Sequence, residues 1–547
     1  MSTRVSLRKL KRSTYLVRYP RWMAGKPLLY MSCALASLGD ALFGYSQGIT
    51  SSLEVQASFL HRMYHKDVSP HDIQLGHTGI DPFLTAITVS CLNVTALVSS
   101  LCAAYVNDIL GRRMSIRVGG IIYFIAAFIQ LFSRNLIWLI AGRSLQGVGV
   151  GFLSMTVPVF QAEISPEHSR GRFISIEFFF LNCGYLLAAW VGYTFYFMHS
   201  EISWRGPFAV QAAIAFLLVV LSFWLPETPR WLIKNGFKTD GLWTLADLHG
   251  HGDITDAKIN ATYVDIVDAL EHEELEGSNA AWKELFTRYG RRTFVAVSSQ
   301  MFAQLNGINV ILHFLPEHLD RAGFTVPLSL FHSGICAVLF CAGTIPTIFY
   351  IDKIGRRPFL LFGSASLAIC LAVAAGVQFY LSKMSEGTKK LQAAEGLFAG
   401  VALYLFFFGA TWGPTPWLLG AEIFPTRARA KGMALANISD WGFNFLTAFV
   451  TPALFEVLKG GFYVLLVSSC VFSFVVVYFV YPETAHKSLE DLGEVFGEVL
   501  PPRRNHKIEE PKVESDTLVQ DSGSILQLDG NNIVEDCRNE RREKDHT

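Results

Sequence analysis

Twelve runs of about twenty mostly apolar residues succeed one another between Leu28 and Tyr481, and each is long enough to cross the ~30 Å hydrocarbon core of a bilayer as a helix. Their windows are 28–50, 81–104, 114–133, 137–160, 173–198, 206–225, 294–315, 328–350, 358–382, 394–418, 432–455 and 461–481. In lipid a chain has to satisfy its own backbone N–H and C=O groups, which leaves helices for runs of this length. Charged residues make up 17% of the 547 residues and hydrophobic ones 51%, where soluble domains carry about a quarter charged. The expected fold class is an all-α polytopic membrane protein, not a globular enzyme.

Charge then orients it. Arg4, Arg8, Lys9, Lys11, Arg12, Arg18, Arg21 and Lys26 meet no acid in the first 26 residues, which by the positive-inside rule keeps this end in the cytoplasm. A mitochondrial presequence is the competing reading, disfavoured because a full-length span begins at once. The expected divisions are a basic N-terminus (1–27), a six-helix bundle (28–225), a cytoplasmic helical linker (226–292), a second six-helix bundle (293–482) and a cytoplasmic tail (483–547), disordered from about Pro501 by its charge and lack of aromatics. In the linker, Ile266, Ala269 and Leu270 are spaced to share one face of an amphipathic helix.

Eight of nine cysteines fall in apolar spans without CxxC or Cys/His spacing, so neither disulfides nor metal are expected, nor any other cofactor. The sequons at Asn93, Asn260 and Asn437 lie in spans or the linker, where no glycosylation is expected. No nucleophile elbow, P-loop or dinucleotide fingerprint is present. "GVGVG" (147–151) sits within a span, and its Gly147 and Gly151 have the spacing of close helix packing.

The two halves repeat each other. "DILGRR" at 108–113 recurs as "DKIGRR" at 352–357, "AEISPEHSR" at 162–170 as "AEIFPTRAR" at 421–429, and "PET" at 226 again at 482. This order marks a duplicated bundle, as in many transporters. The charged members are Asp108, Arg112, Arg113, Glu163, Arg170, Glu227 and Arg230 in the first half, and Asp352, Arg356, Arg357, Glu422, Arg429 and Glu483 in the second. Carboxylate–guanidinium pairs have defined geometry, and two such sets are expected to latch the halves together on the cytoplasmic side.

With "GRSLQGVGVG", "PVFQAEISPEHSRG", "PETPRWLI", "QLNGIN", "DKIGRRPF", "TWGPTPWLLGAEIFPTRARAKG", "DWGFNF" and "PETAHKSLEDL", the chain resembles the sugar porter family of the major facilitator superfamily, in the style of fungal hexose transporters. The resemblance implies twelve helices in two six-helix pseudo-repeats, an intracellular helical domain, and alternating access around one sugar site. It places Gln300, Gln304 and Asn309 of helix 7 as sugar contacts, although the second glutamine of the usual pair is Ala303. Phe178 of helix 5 and Phe340 of helix 8 stand where the family has amides. Trp417, Trp441 and Asn444 are kept, Asp440 replaces an Asn, and His313 and Phe314 replace paired tyrosines of an outer gate. Amides and indoles suit a hydroxyl-rich ring. For Trp441, substrate contact and plain packing both stay open.

Proton-coupled members of that family carry an acid where this chain has Ser46, in "FGYSQGIT", beside an arginine matching Arg143. A serine cannot titrate there. Asp40 lies six residues earlier, about 9 Å deeper and roughly 120° around the helix, a poor direct substitute, yet an acid in a span invites a function. Whether Asp40 moves a proton or braces a neighbouring helix stays open, as does whether Glu177 lines the cavity. The resemblance implies a monosaccharide carrier, hexose or pentose, working by facilitated diffusion. The alternatives are a transporter-like sugar sensor, a carrier of sugar acids or quinate-like acids bound by Arg143, and a proton-coupled porter using Asp40. Expected partners are the sugar and the lipid bilayer, with no nucleic acid, for a monomer of the plasma membrane whose termini are both cytoplasmic.

Overall fold

The computed structural model describes residues 19–20, 22–66, 80–166, 169–198, 200–275, 282–381, 388–458, 461–485 and 496, and among them it contains helices and no strand. The tail beyond 500, the first 18 residues and the side chain of Arg170 lie outside what is described. In chain order the helices are α1 (Lys26–Leu53), α2 (Ala57–Tyr64), α3 (Pro82–Leu110), α4 (Arg112–Leu131), α5 (Leu136–Ile164), α6 (Arg170–Tyr196) and α7 (Ile202–Leu221). Four shorter ones follow, α8 (Pro229–Lys234), α9 (Lys238–His249), α10 (Ala257–Leu275) and α11 (Trp282–Thr287). The second half comprises α12 (Gly290–Leu305), α13 (Ile308–Ala322), α14 (Val326–Ile354), α15 (Arg356–Leu381), α16 (Thr388–Ala410), α17 (Pro414–Glu422), α18 (Thr426–Leu458) and α19 (Gly461–Val480).

Local chemistry sets several boundaries. Asp81 accepts from the N–H of Phe83 at 3.0 Å and Asn135 from that of Trp138 at 3.0 Å, so each caps orphan donors at a helix start. Gly111 and Gly355 take φ of 89° and 102° between α3 and α4 and between α14 and α15. A side chain is strained there, so the glycine of each "GRR" is the pivot of the same tight turn in both halves.

Spans seven and ten differ from the single helices expected over 294–315 and 394–418. The seventh breaks at Asn306 and Gly307, where φ reaches 101°, and continues to Ala322. The carbonyl freed at Asn306 accepts from the Tyr404 hydroxyl at 2.9 Å, which meets the need of a broken helix in lipid. The tenth breaks at 411–413 between α16 and α17, where Trp412 donates to the hydroxyl of Ser364 at 3.0 Å. The short α2 went unread because its eight residues carry His61 and Arg62; its Phe59, Leu60 and Met63 are nevertheless buried.

By packing the chain divides into residues 1–31, 226–277 and 493–547, and residues 32–225 with 278–492. The first boundary falls at Gly277 rather than 292, α11 belonging with the larger unit. In the smaller unit Ile233, Leu242, Trp243, Leu245, Ala246, Ile254, Ile259 and Tyr263 form a core. Ile266 and Leu270 pack on it as expected, but Val267 joins them while Ala269 is exposed. The apolar stripe thus follows the larger side chains.

In the larger unit glycines let helices touch. A Cβ on Gly147 would lie 2.2 Å from the Leu92 carbonyl, and one on Gly151 2.4 Å from that of Ala96. The repeat thus presses α5 onto α3, while Gly149 faces α4, 2.8 Å from the Tyr123 nitrogen. Exposed Phe128, Ile137, Phe362, Ile369, Phe472 and Phe479 provide the apolar exterior that a membrane body presents to lipid.

Candidate substrate site

The break in span seven brings Gln304, near the end of α12, and Asn309, in the first turn of α13, against each other. Asn309 Nδ2 donates to Gln304 Oε1, and Gln304 Nε2 donates to Asp440 Oδ1 of α18 at 2.6 Å. One turn along α18, Asn444 Oδ1 accepts from Asn93 of α3 at 2.8 Å. All five side chains are buried, so polar groups satisfy one another across four helices where lipid and water are excluded.

Other polar atoms have no partner. Gln300 Oε1, Trp441 Nε1 and both amide atoms of Asn182 are buried without a hydrogen bond, each a deficit of about 1–3 kcal/mol that a hydroxylated ligand or water would recover. Asn182 was not singled out from the sequence; its signal was an amide in an apolar run. Asn93 was read only as a sequon, and its neighbours across the fold explain its conservative chemistry better.

Aromatic rings close the space between halves. Phe43 of α1 stands 5.0 Å from Trp441 of α18, and Phe178 of α6 is edge-on to Phe340 of α14 at 6.2 Å. Phe340 also meets Tyr185 and Phe408, and the Phe178 ring lies on Gly413 at the break of span ten. The phenylalanines that stand for amides therefore pack as a wall. Trp417 is half-buried and lines, with Asp40, Phe43, Ser154, Ile174, Glu177, Phe178 and Leu181, a small cavity of about 20 Å³.

Arg143 is buried on α5. Its Nε donates to the Thr88 carbonyl at 2.7 Å, Nη2 to that of Val89 at 3.3 Å, and Nη1 to the Thr50 hydroxyl. Ser46 donates to the Phe43 carbonyl at 2.7 Å, one of its own helix. An acid that does sense Arg143 is Glu54, just past the end of α1 and unremarked in the sequence. Burial and the nearby Glu317 push its carboxyl well above the usual carboxylate range, with Arg143 opposing. His313 is buried with neither ring nitrogen hydrogen-bonded, and Phe314 packs with Val89 and Ala448.

The charged set occupies one end of the larger unit. Arg112 pairs with Glu163 at 2.8 Å and with Asp108 at 3.6 Å. Arg356 pairs with Glu422 at 2.8 Å and with Asp352 at 3.0 Å. Glu483 accepts from the backbone N–H groups of both Arg356 and Arg357 at 3.0 Å. These pairs lie within a half; what reaches across is Asp352, whose carboxylate lies against Gly171 in the first turn of α6, where a negative charge complements the helix dipole. Arg357 bonds the Tyr478 carbonyl and Arg429 that of Phe424, Arg113 is buried, and Glu227 and Arg230 belong to the smaller unit.

The family model for "Sugar (and other) transporter" matches residues 32–496. The chain belongs to the sugar transporter family of the major facilitator superfamily. It is 30% identical over 476 residues to the MFS-type transporter criB of Aspergillus cristatus, covering 86% of this chain and 93% of that protein. It is 28% identical over 487 residues to a high-affinity glucose transporter of Kluyveromyces lactis, covering 86% of each. The proton:xylose symporter XylE bound to 6-bromo-6-deoxy-D-glucose shares the fold, with a TM-score of 0.71 at 24% identity over 86% of this chain and 99% of that one. The expected fold class is thereby borne out, and this sugar transporter is a multi-pass membrane protein rather than an enzyme.

Proposed function

We propose that this sugar transporter carries a monosaccharide, hexose or pentose, down its own gradient by alternating access. Gln300, Gln304, Asn309, Asn444 and the indoles of Trp417 and Trp441 are the proposed contacts, and Asp440 holds Gln304 in place. His313 and Phe314 would close one entrance, and the Arg112 and Arg356 clusters hold the opposite end shut between strokes. That end, with both termini, faces the cytoplasm in this reading, and the carrier works as a monomer in the plasma membrane.

The observation that carries the energetics is the setting of Arg143. Its guanidinium is met by a hydroxyl and two backbone carbonyls, and the residue one turn before Thr50 on α1 is Ser46 rather than an acid. With no titrating group at that position, proton entry has nothing to displace from the arginine there. Uptake of a labelled panel (glucose, xylose, galacturonate, quinate) in transporter-null cells, with and without a protonophore, tests this. Glucose or xylose entry that survives the protonophore supports it. Concentrative uptake abolished by the protonophore, displacement by the acids alone, or ligand-dependent signalling without flux would each overturn it.

A further inference from the structure

Helices α1 and α6 lie closer than side chains normally permit. A Cβ on Gly44 would sit 1.8 Å from the Leu181 carbonyl, one on Gly48 2.9 Å from Ala188, and one on Gly192 2.3 Å from the Ser52 hydroxyl. The helices therefore run parallel, in register turn for turn. One turn before Gly44 stands Asp40, and one turn before Leu181 stands Glu177. Their side chains meet carboxyl to carboxyl. Asp40 is 3% exposed and Glu177 6%, and Asp40 Oδ2 and Glu177 Oε2 have no hydrogen-bond partner beside the cavity that both residues line.

Nothing nearby neutralises them. Among the described residues the titratable groups that act on the pair are each other and the Cys33 thiol of α1. The packed helix α5 faces the cavity with Ser154, α6 with Ile174, Phe178 and Leu181, and α17 with Trp417. Two carboxylates in contact cannot both ionise, and a charged acid inside a membrane span is costly even alone. A proton held between them supplies the missing donor, and about 20 Å³ of cavity admits a water to bring it or take it away.

We propose that Asp40 and Glu177 form a proton-binding site in the wall of the central cavity, one proton shared by the two carboxyls. With the proton in place α1 and α6 stay pressed together at the glycine ladder. When it leaves, the like charges repel at the point of closest helix contact, and the stroke that depends on this packing fails. The site thus makes the carrier proton-sensitive without requiring a proton to travel with each sugar. Its effect on flux rests on the carrier reading above; the site itself does not.

Two readouts on the full-length protein separate those claims. In lipid nanodiscs, infrared pH titration is expected to show a protonated-carboxyl band that weakens in both Asp40→Asn and Glu177→Gln. A wild-type band unaltered in either variant overturns the proposal. In proteoliposomes with the same buffer on both faces, equilibrium exchange of labelled glucose is expected to fall with rising pH, by up to about tenfold per unit once the proton leaves. That slope is expected to flatten in each variant, and an identical slope in a folded variant counts against the site. Should glucose fail to exchange at any pH, the hexose reading fails while the infrared band still decides for or against the proton.

Discussion

Arg356 grips Glu422 with two guanidinium nitrogens, Nε to Oε2 at 3.1 Å and Nη2 to Oε1 at 2.8 Å. The same side chain reaches Asp352, whose carboxylate touches Gly171 in the first turn of α6. One arginine of the second half is thereby tied to an acid that rests on the first. Forked pairs of this kind specify orientation as well as charge.

Removing one partner from a mostly buried pair leaves an uncompensated charge. Glu422→Ala is therefore expected to destabilise the protein by about 3 kcal/mol, read as the midpoint of denaturant unfolding in detergent. Arg356→Lys keeps the charge but loses the fork, and is expected to slow labelled-sugar exchange more than it lowers stability. Exchange equal to wild type in Arg356→Lys would show that the fork has no part in the stroke.

Ser46→Asp places a carboxyl on α1 in the neighbourhood of Arg143. At acid pH the new carboxyl is protonated and neutral, and at alkaline pH it is ionised and attracts the guanidinium. Uptake in this variant is expected to become faster in acid medium and sensitive to a protonophore. A pH profile unchanged from wild type would mean that the two side chains do not communicate.

The amide chain from Asn309 through Gln304 to Asp440 is expected to matter as a unit. Gln304→Ala removes a donor and an acceptor at once and should raise the KM for the transported sugar by about tenfold, near 1.4 kcal/mol. Adding Asn309→Ala is expected to cost less than a second tenfold, because the two residues share one bond. Additive losses in the double variant would indicate independent contacts.

Phe178→Gln with Phe340→Asn restores amides to a wall now built of rings. Each ring pair forfeited is worth about 0.5–1.5 kcal/mol, so the double variant should melt earlier yet bind hexose more tightly, with a lower KM. A higher KM would place both residues in packing alone.

Gly151→Leu is expected to abolish folded protein, since even its Cβ meets the Ala96 carbonyl at 2.4 Å and backbone cannot swing aside as a side chain can. Leucine at Gly376, which has nothing within 4 Å, is the matched control. Size-exclusion profiles in detergent compare the two.

Hydropathy, the paired "GRR" turns and the repeated acids were enough to place nearly every span, because lipid imposes one length and one backbone solution on each of them. Breaks inside spans seven and ten were not legible. A carbonyl may lose its helical partner only where another helix offers a donor, as Tyr404 does for Asn306, and such donors lie far away in sequence. The short α2 escaped for the opposite reason, since its burial comes from the packing around it rather than from its own hydropathy.

The candidate site divides the same way. Gln304, Asn309, Asp440 and Asn444 were legible one by one as amides and acids in apolar runs, conspicuous because lipid tolerates few of them. Their pairing belonged to the fold, because it depends on which helices cross at which turn. Sequence alone determined that this chain is a duplicated helical carrier with a serine where its proton-coupled relatives hold an acid. Only the tertiary structure decided that Asp40, six residues away from that serine, faces Glu177 of another helix. The reason is geometric: a glycine ladder sets the register of α1 against α6, and no spacing within one helix can state what stands opposite it.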